Sequence, residues 1–203
     1  MFARTTLDSA SDVGRFTSAT IGVDGLGLIS YQAWSSSDLK VAHCSNVACT
    51  SVTLATIDAG FVGQYTSVTI GADGLGLISY QDQLALDLKV AHCADVACTS
   101  ATLTILDTAG DTGVQTSVTI GVDGLGLISY YDSTSGDLKV AHCSNVACTA
   151  ATLSTVDTTG GSYTSVTIGV DGLGLISYYY NTNGDLKVAH CSNVFGIPFV
   201  RPR

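Results

Sequence analysis

An all-β fold built from four copies of one small sheet is what this sequence predicts, and three observations predict it. A unit of about 49 residues recurs almost unaltered, apolar residues inside it alternate with a period of two, and no segment keeps a helical period. The stretch Thr116 to Asp157, TSVTIGVDGLGLISYYDSTSGDLKVAHCSNVACTAATLSTVD, returns from Thr17 to Asp58 and from Thr66 to Asp107. A fourth copy begins at Thr164 and stops short after Cys191. Lys40, Lys89, Lys139 and Lys187 mark the steps, which are 49, 50 and 48 residues.

Each unit reads as four short strands. In the second unit, Val68, Ile70 and Ala72 alternate with Ser67, Thr69 and Gly71, the pattern of a strand whose side chains point to opposite faces. Asp73-Gly74 follows and predicts a two-residue type I′ hairpin. A second strand runs from Leu75 to Tyr80 with apolar residues on both faces. A third runs from Leu88 to Cys93, and a fourth, rich in Thr, Leu and Ile, from Thr102 to Leu106. The intervals from Asp24 to Lys40 and from Cys49 to Asp58 are repeated in every copy that has both residues. All length variation therefore falls between one unit's fourth strand and the next unit's first, which marks a surface loop.

Four antiparallel strands in a unit of this size match one blade of a β-propeller. Ala3 to Asp8 aligns with Thr152 to Asp157, so the chain opens with an isolated fourth strand, while the last unit lacks one. That opening strand is expected to complete the last blade, in cis within a closed ring or in trans in an assembly. The chain is thus read as one repeat domain, 1–203. Residues 1–16 are the closing strand and loop, the repeats span about 17–65, 66–115, 116–163 and 164–196, and 197–203 form a tail. Both prolines lie in this tail, where they would blunt an open sheet edge.

The consensus IGxDGLGLISYYDxxxGDLKVAHC, followed by a second cysteine, resembles the tandem repeats of uncharacterised secreted bacterial β-propeller-like proteins. The resemblance covers essentially the whole chain and implies that fold and an extracellular setting; it implies no activity.

Composition narrows the partners. Seventeen acidic residues face eight basic ones, for a net charge of −9. No Lys/Arg cluster exists outside Arg201 and Arg203, which argues against nucleic acid and against an anionic membrane surface. No apolar run approaches the ~20 residues of a spanning helix, so no membrane insertion is expected. No apolar segment follows Met1 to Arg4, so no signal peptide is read there. With only 12% charged residues and a mean hydropathy of +0.37, the strands must be buried on both faces or against other chains.

The cysteines resolve into pairs, Cys44 with Cys49, Cys93 with Cys98 and Cys143 with Cys148, and each pair predicts a disulfide in an oxidising compartment. Cys191 is left as an unpaired thiol, free or available to another chain, because Gly196 stands where its partner would be. His43, His92, His142 and His190 each precede a cysteine and invite a zinc reading. Neighbouring strand residues point to opposite faces, however, so these are expected to be core histidines hydrogen-bonded between blades, with no metal or other cofactor. Asp24, Asp73, Asp123 and Asp171 are read as turn residues rather than calcium ligands.

Tyr31, Tyr80, Tyr130 and Tyr178 recur at the end of the second strand, with Trp34, Tyr131 and Tyr179 close by. An aromatic at a strand end packs on its neighbour in the usual case; the alternative here is a repeated glycan-binding platform, the plan of a multivalent lectin-like propeller. Catalysis is not expected, since near-identical units offer the same groups four times and the chain has no glutamate. The leading expectation is a non-enzymatic extracellular structural or interaction module, adhesive or self-assembling as a homo-oligomer or filament.

Overall fold

The computed structural model describes residues 4–193. Fifteen strands form four antiparallel sheets, each a simple meander in chain order. The first sheet holds β1 (Val13–Ile21), β2 (Gly27–Ala33), β3 (Asp38–Cys44) and β4 (Val52–Asp58). The second holds β5 (Val62–Ile70), β6 (Gly76–Asp82), β7 (Asp87–Cys93) and β8 (Ala101–Asp107). The third holds β9 (Val114–Ile120), β10 (Gly126–Asp132), β11 (Asp137–Cys143) and β12 (Ala151–Asp157). The fourth holds β13 (Ser162–Ile168), β14 (Gly174–Tyr180) and β15 (Asp185–His190).

Consecutive sheets pack face to face, and the three apolar cores lie between them rather than inside any one. Leu28, Leu39 and Val41 of the first sheet meet Val68, Ile78, Tyr80 and Ala91 of the second. Leu77, Leu88 and Val90 meet Val118, Ile128, Tyr130 and Ala141 in the same way, and Leu127, Leu138 and Val140 meet Val166, Ile176 and Tyr178. The period of two explains this: Leu77 and Ser79 face forward, Ile78 and Tyr80 face backward, and both sets are buried. First strands neighbour first strands, β1 beside β5, β5 beside β9 and β9 beside β13, so they line the inner side of the array.

Close approach is made possible by glycine. A methyl group on Gly76, Gly126 or Gly174 would stand 2.7–2.8 Å from the leucine of the preceding sheet, Leu28, Leu77 or Leu127. The Asp-Gly turns differ from the expected two-residue hairpin. Gly25 donates to the Gly22 carbonyl at 3.0 Å and Gly22 to the Leu26 carbonyl at 2.8 Å. The connection is a longer loop in which only Gly25, with φ of 78°, is left-handed. Asp24 has no need of positive φ; its Oδ1 instead accepts from the Leu26 amide at 3.0 Å.

The fourth sheet also departs from expectation. Among the described residues it has three strands, and residues 4–12 enter no ladder, so its completion by the opening segment is not seen there. Asp8, at the end of that segment, is nonetheless clamped by Tyr31 and Lys40 of the first sheet. The Gly196 position and the 197–203 tail lie outside the described residues.

Candidate functional site

Each junction between sheets carries one carboxylate clamp. Asp58, the last residue of β4, accepts from Tyr80 Oη at 2.7 Å and Lys89 Nζ at 2.5 Å, both in the next sheet. Tyr80 and Lys89 can share it because they are direct cross-strand partners. Asp107 receives Tyr130 and Lys139, Asp157 receives Tyr178 and Lys187, and Asp8 receives Tyr31 and Lys40. The Lys40 hydrogen bond holds the Asp8 carboxyl at about 2, against the opposing effect of burial. Burial favours the neutral acid of Asp107, but Lys139 and Tyr130 outweigh it and hold that carboxyl below the usual range. Burial, then the adjoining carboxylate, pushes the phenols of Tyr31, Tyr80, Tyr130 and Tyr178 up.

These four tyrosines therefore do not form an exposed glycan platform. Tyr80 and Tyr130 are completely buried, and Tyr31 and Tyr178 nearly so; their rings fill the space between sheets. Trp34 is exposed and has the Arg15 guanidinium 4.0 Å over its ring. Tyr131 is half-buried, and Tyr179 is exposed with its ring 6.2 Å from Tyr163.

The three predicted disulfides are present, Cys44–Cys49, Cys93–Cys98 and Cys143–Cys148, each closing the loop between a third and fourth strand. Cys191 is buried at 5% exposure, with its amide donating to the Gly174 carbonyl at 2.8 Å. It occupies the place of Cys44, Cys93 and Cys143 in their sheets, and burial pushes its thiol up. A thiol so enclosed is not poised to bridge to another chain.

The histidines are placed otherwise than expected as well. His43, His92 and His142 bond through Nε2 to Asp24, Asp73 and Asp123 at 2.8–3.0 Å, and His190 lies 2.8 Å from Asp171. Each aspartate belongs to the Asp-Gly loop of the same sheet, so the histidine pins its own sheet's first loop rather than bridging two sheets.

Sequence reasoning missed the inner face of the array. There each first strand is interrupted by a β-bulge. Phe16, Tyr65, Gln115 and Tyr163 all sit in left-handed conformation, with φ of 51°, 54°, 54° and 55°. The first three, with Thr17, Thr66, Thr116 and Thr164, line an open cleft of about 240 Å³. Phe16 and Tyr65 have ring centroids 4.9 Å apart, and the Tyr163 amide donates to Gln115 Oε1 at 2.5 Å. Thr66, Thr116 and Thr164 are fixed by hydroxyl bonds to Ser30, Ser79 and Ser129 of the preceding sheets.

No protein-family model and no curated protein matches the chain. Solved structures do. A leech intramolecular trans-sialidase superposes with a TM-score of 0.58 at 14% identity, over 91% of this chain and 32% of that one. An exo-β-1,3-galactanase from Phanerochaete chrysosporium gives 0.61 at 11% identity, over 95% of this chain and 51% of that one. The propeller of Dos1 gives 0.54 at 12% identity, over 79% and 40%. The shared architecture is the β-propeller. The chain spans about a third to a half of the length of these proteins, and its four sheets are propeller blades.

Proposed function

We propose that this propeller is a non-enzymatic extracellular interaction module that binds carbohydrate in its inner cleft, as an adhesion domain would. One observation carries the reading. The bulge position, at the end of the variable segment between blades, holds Phe16, Tyr65, Gln115 and Tyr163, and three of these residues line the cleft. Adjacent aromatic rings offer apolar faces for a sugar's C–H face, and an amide beside them offers directional hydrogen bonding. Backbone strain repeated at four non-glycine residues is the kind of cost that persists at binding sites.

Two further facts support this reading. The leech trans-sialidase was solved with 2,7-anhydro-Neu5Ac and the galactanase with β-1,3-galactotriose, so propellers of this shape accommodate sugars. Three disulfides fit an oxidising, extracellular setting.

The test is a glycan array followed by calorimetry on the hits. Tyr65→Ala is expected to weaken binding at least about tenfold, while Trp34→Ala, outside the cleft, leaves it unchanged. An array without hits, or hits indifferent to both Tyr65→Ala and Phe16→Ala, would overturn the proposal. A self-assembling structural role is the second reading, carried by the uncovered faces of the end blades rather than by the cleft.

A further inference from the structure

We infer that the two end blades of this chain are the halves of one interface, and that a second copy docks its first blade on the fourth blade of the first copy, head to tail. The inference rests on the self-assembling reading and gives it an address; it does not depend on ligand binding.

The forward face of blade 4 is built like those of blades 1–3 but is bare. Leu186 is 81% exposed, where Leu39, Leu88 and Leu138 are at 0%; Val188 is 59% exposed, where Val41, Val90 and Val140 are at 0%. Leu175, also exposed, stands where Leu28, Leu77 and Leu127 are buried. The backward face of blade 1 is bare in the matching way at its inner strand, while Tyr31 and Ala42 farther out are buried. Thr17 and Ala19 are exposed, where Thr66, Thr116 and Thr164 and then Val68, Val118 and Val166 are buried. Val13, Ala19, Ile29, Tyr31 and Ala42 open onto a cavity of about 530 Å³. Ala19, Ile29, Tyr31 and Ala42 correspond to the residues of blade 2 that close over Leu28, Leu39 and Val41. The cavity is half of a fourth inter-blade core, and Leu175, Leu186 and Val188 are the other half.

The glycine positions extend to the same register. Val23 packs on Gly74 and Val122 on Gly172; the next step in the series sets Val170, the most exposed large hydrophobic among the described residues, on Gly25, where a Cβ would meet no atom within 4 Å. Leu39 packs on Gly63, Leu88 on Gly113 and Leu138 on Gly161; the next step sets Leu186 on Gly14, likewise open. Polar partners follow the same series. Ser30–Thr66, Ser79–Thr116 and Ser129–Thr164 continue as Ser177 with Thr17 of the second copy.

The opening segment completes the fit. Asp58, Asp107 and Asp157 end the outer strand of one blade and are clamped by the next blade. Asp8 is clamped identically by blade 1, so residues 4–8 lie where the outer strand of a preceding blade would run. Those residues join no ladder, and blade 4 has no fourth strand among the described residues. In the docked pair, residues 4–8 of the second copy pair with β15 of the first. The same surface patch is not used twice, so the contact is heterologous and propagates or closes according to its rotation.

Trapping by cysteine chemistry tests this directly. Val122 Cβ lies 3.7 Å from where a Cβ on Gly172 would stand, a separation suited to a disulfide. One chain carrying Val170→Cys and another carrying Gly25→Cys, each with Cys191→Ala, are mixed at high concentration and oxidised. A cross-linked pair is expected only in the mixture, with the intrachain Val122→Cys/Gly172→Cys variant as the positive control. Sedimentation is read in parallel on the unmodified chain, and Leu186→Asp, an exposed change, is expected to weaken association at least about tenfold. A chain monomeric at all concentrations overturns self-assembly itself. An assembling chain in which the control bridge forms but the mixed bridge does not, or in which Val170→Cys links to itself, overturns this seam alone.

Discussion

Blades 2 and 3 on one side and blade 4 on the other are nearly the same sequence in different surroundings. Leu88 and Leu138 are sealed by a following blade, while Leu186, in the identical DLKVAH strand, stands in solvent. The lesson is that the unit of stability here is the junction and not the blade. A sheet of this kind has two apolar faces and can bury neither alone, so each core belongs to a pair of neighbours. Identical strands are therefore worth different amounts according to what lies in front of them.

The largest expected effect sharpens that contrast. Leu138→Ala should cost about 3–4 kcal/mol in urea denaturation, since it empties a filled junction, whereas Leu186→Ala in the dilute chain should cost less than about 0.5 kcal/mol. Equal losses at the two sites would mean that the end face is covered after all. A smaller effect concerns the bridges. Removing Cys143–Cys148 by paired alanines should cost about 2 kcal/mol, the entropy of so short a loop, while Cys191→Ala acts only through packing. Calorimetric melting of the two variants separates these cases.

The smallest effect is in pH. The carboxyl of Asp8 is lowered from 3.8 to about 2, chiefly by Lys40, so its contribution is fully present above 3.8 and disappears as pH falls through about 2. Carbon-detected NMR of the Asp8 carboxyl should therefore show no midpoint near 3.8, and amide exchange at residues 4–8 should stay slow down to pH 3. A midpoint in the ordinary range would detach the opening segment from the first blade and break its likeness to the interior clamps.

Much of the architecture was legible because it rests on two simple regularities. The unit length marks the blades, and the period of two marks strands buried on both faces. The cysteine pairs announced their bridges, since the loop between them is short. Roles that depend on the neighbouring blade were not legible. Nothing around Tyr80 within its own unit says that Asp58, the end of the unit before, will take its hydroxyl. The inner bulge was equally silent, because Phe16, Tyr65, Gln115 and Tyr163 hold a backbone conformation that sequence normally advertises with glycine. His92 was sent to the wrong partner for a related reason: the loop carrying Asp73 is longer than a tight hairpin and folds back within reach of the ring.

The clamps formed by Asp8, Asp58, Asp107 and Asp157 have a consequence for how such a chain can change its size. Every joint along the array uses the same acid, phenol and amine in the same order, so a whole unit can be spliced in or cut out at the connections after Asp58, Asp107 or Asp157 with each remaining joint chemically unchanged. Growth by cassette leaves no mismatched scar.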